Sequence, residues 1–88
     1  MCTMIAERVQ IEGSGKGTSS WFPVTQANVS YDHPFDAPME YLLNIDFVNE
    51  DLGPGARVAV ELSAESAKSL VVTILNVIEQ AEAGGHLE

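Results

Sequence analysis

The sequence predicts an α+β fold, a four-stranded antiparallel meander packed on one long C-terminal helix. Two observations carry this expectation. Four segments before Ser63 alternate apolar and polar residues, the period of strands with one buried face, whereas after Ser63 the apolar residues recur with the 3.6-residue period of a helix. Glycine- and proline-rich stretches divide the segments.

The first strand runs from Met4 to Ile11, where Ile5, Val9 and Ile11 are interleaved with Arg8, Gln10 and Glu12. The run Gly13-Ser14-Gly15-Lys16-Gly17 is expected to break it as a flexible hairpin turn. A second strand spans Trp21 to Tyr31, in which aromatic and β-branched residues suit a pleated surface. Pro23 cannot donate to a ladder, so that end of the strand belongs at an edge or a bulge. His33-Pro34-Phe35-Asp36-Ala37-Pro38 reads as a loop, because its two prolines oppose regular structure.

Tyr41 to Asn49 forms the third strand, with Tyr41, Leu43, Ile45 and Phe47 on one face and Leu42, Asn44, Asp46 and Val48 on the other. Leu52-Gly53-Pro54-Gly55 is a turn, and Arg57 to Leu62 is a fourth strand presenting Val58, Val60 and Leu62 to the core. Ser63 is placed to cap a helix from about Ala64 to Ala83, and Glu65 favours its positive end. Ala67, Leu70, Val71, Ile74, Leu75, Val77, Ile78 and Ala81 gather into one apolar stripe, and Gly84-Gly85 stops the helix.

A helix of that length is roughly 30 Å long and matches strands of 8–10 residues, so it is expected to lie along one face of the sheet. The other face would carry Met4, Ala6, Phe22, Val24, Leu42 and Val48 among Arg8, Gln26, Asn28, Asn44, Asp46, Arg57 and Glu61. That mixture is too apolar for open solvent and too polar for a dry core. A second subunit or a ligand is the expected covering, and a homodimer or larger is the expected state.

Size and charge limit the function. Eighty-eight residues form one domain, taken as residues 1–86, because a chain this short cannot divide its buried surface between two cores. Leu87-Glu88 is either a native tail or the remnant of a tag. Thirteen acidic residues against four basic ones leave a net charge of −9, which argues against nucleic acid and anionic membranes as partners. No apolar run reaches the roughly 18 residues of a membrane span, and no N-terminal signal is evident, so a cytoplasmic location is expected. Cys2 is the single cysteine, so no disulfide within the chain can staple the domain.

Three features invite a chemical reading. Gly13-Ser14-Gly15-Lys16-Gly17-Thr18 has a superficial likeness to a nucleotide-binding loop, but Gln10 stands where the first glycine is needed. Gly17 replaces the hydroxyl after the lysine, and a strand rather than a helix follows. Cys2 follows the initiator Met1, whose removal would leave an N-terminal cysteine in which thiol and amine share one site. The plainer role is a small apolar residue at the start of a strand. Tyr31, Asp32, His33, Asp36 and Glu40 are the densest titratable group. Histidine is the side chain whose ordinary pKa lies near neutrality, and a carboxylate can orient it. Turn hydrogen bonds are the plainer role here as well.

The expected ligand site lies where this loop meets the polar sheet face. His33 and Asp36 come from the loop, Asn44, Asp46 and Arg57 from adjacent strands, and Phe35 and Tyr31 serve as apolar walls. No pair of histidine or cysteine ligands has metal-binding spacing, and neither metal nor cofactor is expected.

Met1-Cys2-Thr3, Ile11-Glu12-Gly13-Ser14-Gly15-Lys16-Gly17, Tyr31-Asp32-His33-Pro34 and Asn44-Ile45-Asp46-Phe47-Val48-Asn49 together resemble a family of short bacterial proteins, mostly actinobacterial, classed as a domain of unknown function. The resemblance covers nearly the whole chain and implies a bacterial origin, with no activity, cofactor or catalytic residue to carry over. Two functions remain open. One is a homo-oligomeric ligand-binding or protein-interaction module. The other is a small-molecule enzyme using His33 and Asp32, or an N-terminal Cys2, for acid/base or nucleophilic chemistry.

Overall fold

The computed structural model describes residues 5–87, so Cys2 and Met4 lie outside the described residues. The elements are β1 (Ile5–Lys16), β2 (Trp21–Asp32), β3 (Leu42–Val48), a 3-10 turn (Glu50–Leu52), β4 (Arg57–Leu62) and α1 (Ala64–Ala83). All four strands pair antiparallel in the order β1-β2-β3-β4, so the architecture is an α+β meander followed by one long helix, as the two periodicities predict.

The glycine run departs from expectation. Gly13 and Gly15 continue β1 opposite Val24 and Phe22, and the hairpin turn falls at Gly17–Ser20, closed by Gly17 N–H donating to Ser20 C=O at 2.9 Å. Close approach explains Gly15: a Cβ there would lie 2.9 Å from Cγ2 of the buried Val24. The glycine makes room for a bulky neighbour in a strand rather than bending the chain.

Between Gln10 and Gly13 the β1–β2 register shifts by one residue, a bulge. The buried positions of β2 shift parity over the same stretch, from Phe22 and Val24 to Ala27. A one-residue slip exchanges the two faces of a strand. Phe22 and Val24 therefore pack with Ile11, Phe47 and Val58 on the apolar side, not among the polar residues where strict alternation puts them. Pro23 sits in the part of β2 that pairs only with β1, before the β3 ladder begins at Gln26, so its missing donor breaks no bond to β3. Beside it, Asn49 is buried and fully engaged. Its Nδ2 donates to Pro23 C=O at 2.9 Å, its Oδ1 accepts from Asp51 N–H at 3.1 Å, and its N–H donates to Ala56 C=O at 3.2 Å.

Cross-strand register aligns three rows on the apolar face: Ile5–Tyr31–Leu43–Leu62, Glu7–Val29–Ile45–Val60 and Val9–Ala27–Phe47–Val58. Of these twelve positions only Ala27 is buried, and the buried apolar residues are Phe22, Val24, Ala27, Leu42 and Ala56. Phe22, Val24 and Ala56 cluster at the bulge end of the sheet, Leu42 is buried at the opposite end beside Asp32, and most of the apolar face is half-covered.

Helix α1 begins where predicted. The Ser63 hydroxyl accepts from Ser66 N–H at 3.1 Å, and the helix ends at Gly84, with Gly85 following at φ 72°. It does not lie along the sheet. No helix residue is buried, and Leu70, Val71, Val72, Ile74, Leu75, Val77 and Ile78 are 42–59% exposed. The connection explains this difference. Ser63 alone joins β4 to α1, and one residue gives the chain no room to reverse over the strand it has just left. The molecule is correspondingly elongated, 47 × 31 × 21 Å with a radius of gyration of 14.8 Å, against about 12 Å for a compact chain of this length.

Candidate functional site

The loop between β2 and β3 is held against the sheet by one carboxylate. Glu61 on β4 accepts three successive main-chain N–H groups, from Phe35 at Oε2, and from Asp36 and Ala37 at Oε1 over 3.2 and 3.0 Å. Successive N–H groups aimed at one anion form a nest. They hold the Glu61 carboxyl below its ordinary range: Ala37 N–H contributes most, followed by Phe35 N–H, while desolvation opposes them and Asp36 N–H adds a smaller push downward.

This tether folds the loop over the polar face and creates a concavity of about 730 Å³. His33, Asp36, Asn44, Asp46 and Arg57, the five residues expected to bind a ligand, all line it, together with Asp32. The loop supplies His33 and Asp36, β3 supplies Asn44 and Asp46, and β4 supplies Arg57. Phe35 forms part of the wall and is 98% exposed. Tyr31 does not line the cavity, because its register position belongs to the opposite face.

Several of these groups are already engaged. Arg57 donates to Oδ1 of Asp46 through Nε at 3.0 Å and Nη2 at 2.7 Å, a partly exposed cross-strand pair worth roughly 0.2–1 kcal/mol. The Asn44 amide donates to Leu42 C=O at 3.2 Å. Asp32 accepts His33 N–H at 2.7 Å and so caps the main chain rather than orienting the imidazole. The ring is instead fixed by Glu40 C=O, 2.9 Å from Nδ1, and by stacking on Tyr41 with centroids 4.7 Å apart. A carbonyl oxygen only accepts, so the shared proton sits on Nδ1 and the neutral ring keeps its lone pair on Nε2.

Around the cavity stand four carboxylates, Asp32, Asp36, Asp46 and Glu61, against one guanidinium that Asp46 already holds. The field there favours hydrogen-bond donors and positive charge. Among the described residues no group of three His, Cys, Asp or Glu side chains converges as a metal site would. No helix among them is long and apolar enough to cross a membrane. Glu61 is the residue that strand alternation put on the correct face without giving it a role. Its signal was indirect: a carboxylate on the face next to a proline-bounded loop whose N–H groups have no ladder to join.

A family model matches residues 1–87, essentially the whole chain. The chain belongs to DUF6295, a family of unknown function. No curated protein and no solved structure matches it. Membership in DUF6295 assigns no ligand or reaction, so a functional reading has to come from the cavity and the exposed surfaces of this chain.

Proposed function

We propose that this protein is a homo-oligomeric binding module that takes a small polar ligand between the His33–Pro38 loop and the polar face of its sheet. One observation carries the reading: loop and strand residues line a single 730 Å³ concavity, the size range of small-molecule sites, and a dedicated carboxylate holds the loop over it. The excess of carboxylates supports a ligand with amine-like donors rather than a phosphate or a carboxylate. Asp36 and Asp46 would receive those donors, Asn44 would offer an amide oxygen, and His33 Nε2 would accept a further hydrogen bond. The Asp46–Arg57 pair would open or share its carboxylate on binding.

A thermal-shift screen of small amines, with matched carboxylic acids as controls, tests this reading. Amines are expected to raise the melting temperature, and His33→Ala and Asp46→Ala to weaken the binding by about tenfold or more, the loss of one or two charge-assisted hydrogen bonds. Unchanged affinity in both folded variants would leave the loop as a turn only. A second reading, acid/base catalysis on such a ligand, draws support from the oriented His33 ring with its free Nε2 lone pair. Asp32 would assist by fixing the His33 main chain, and Cys2 remains the other candidate for chemistry.

A further inference from the structure

We infer that two copies of this chain pair by exchanging helices, the apolar stripe of α1 in each covering the apolar sheet face of the other. The inference rests on the homo-oligomeric part of the function proposed above and is independent of the ligand.

Each copy carries both halves of such a contact, and its own helix touches its sheet at only a few positions of β3 and β4. The sheet offers three apolar rows that are half-covered, and the helix offers a stripe 42–59% exposed at its large residues. Within one chain the two do not meet along their length, with Ser63 alone connecting β4 to α1. A twofold arrangement satisfies all four surfaces with one geometry, as an isologous dimer requires.

Area supports a second copy as the occupant. The chain exposes 6981 Å², well above the roughly 5,000 Å² of a compact monomer of 9.5 kDa. A 20-residue helix is about 30 Å long and 10 Å across, so one helix on one sheet removes about 300 Å² from each surface. Two reciprocal contacts remove about 1,200 Å² in all, which reaches the range of stable specific interfaces.

Charge agrees. Glu7, on the edge strand, is the only charged residue in the three rows. Lys68 is the only charged residue of α1 between Ser66 and Ile78, the acidic ones lying at the ends as Glu65, Glu79 and Glu82. Helix on sheet therefore sets the charge-poor middle of α1 over rows that hold one charged residue, in a chain whose net charge of −9 disfavours most other self-contacts.

The test uses the full chain in a Cys2→Ser background. Ile74→Cys, on the helix, and Ile45→Cys, in the middle sheet row, are prepared separately, mixed and oxidised. The expected product is a two-chain species linking one variant to the other, at higher yield than either forms alone. Sedimentation of the parent at micromolar to tens of micromolar concentrations should show a dimer, and Ile74→Asp should weaken it by about 100-fold or more, as for a central interface residue. A monomeric parent overturns both this inference and the homo-oligomeric reading. A dimeric parent whose main crosslink joins Ile74→Cys to itself overturns helix exchange alone and indicates helix on helix. A double variant that closes its disulfide within one chain also overturns exchange, because the helix would then reach its own sheet.

Discussion

At the scale of single residues, Glu61 and Gly15 carry more of the structure than their types suggest. Glu61 gathers three main-chain N–H groups and thereby fixes the loop that forms the cavity. Its pKa is lowered in the folded state, so the tether is complete above the ordinary carboxylate range and is lost as pH falls through the lowered value. Protection of the Phe35, Asp36 and Ala37 amides, read as exchange relative to the intrinsic rate at each pH, should therefore persist from neutrality down through mildly acidic pH and be lost only below the usual glutamate pKa. Glu61→Ala should give fast exchange at those three amides already at neutral pH. Slow exchange in that variant would mean that the loop is held by something else. Gly15 makes a different prediction. A Cβ there meets the buried Val24 at 2.9 Å, whereas one at Gly13 meets nothing within 4 Å. Gly15→Val should cost about 1–3 kcal/mol by overpacking, and Gly13→Val should be close to neutral in urea unfolding, since a β-branched residue suits a strand. Equal effects at the two positions would place the close approach elsewhere.

At the scale of elements, legibility in the sequence follows from how local the cause is. β4 and α1 have the predicted bounds because their signals, alternation, a capping Ser63 and terminal glycines, act within a few residues. β1 extends past its predicted end because Gly13 and Gly15 pair with Val24 and Phe22 of β2 rather than forming the turn, with a close approach at Gly15 alone, and glycine composition does not separate those roles. The bulge between Gln10 and Gly13 is likewise a property of two strands together. It reverses the facing of Phe22 and Val24, which strict alternation assigns to the polar side. The candidate site was more legible. His33, Asp36, Asn44, Asp46 and Arg57 share one cavity because β3 and β4 are in the meander order that short connections favour. The partners of each side chain were not legible. Asp32 turned to the main chain, and a carbonyl at Glu40 took its place beside His33, contacts that depend on the path of the loop.

At the scale of the whole molecule, the helix stripe predicts folding onto a sheet, and the one-residue connection prevents that within the chain. Both follow from the same sequence, and the proposed second copy would reconcile them. Assembly of this kind doubles a net charge of −9, so long-range repulsion opposes a contact whose attraction is apolar. Raising the salt from about 10 mM to about 150 mM shortens the screening length from roughly 30 to 8 Å, which weakens the repulsion and leaves apolar burial essentially intact. The dimer dissociation constant measured by sedimentation equilibrium should therefore fall as salt is added over this range. Because the proposed dimer would bury more apolar surface than the monomer, the melting temperature should also rise with protein concentration at fixed salt. A dissociation constant that rises with salt would point to an interface built on opposite charges, and the helix stripe and apolar rows would then not be what the two copies share.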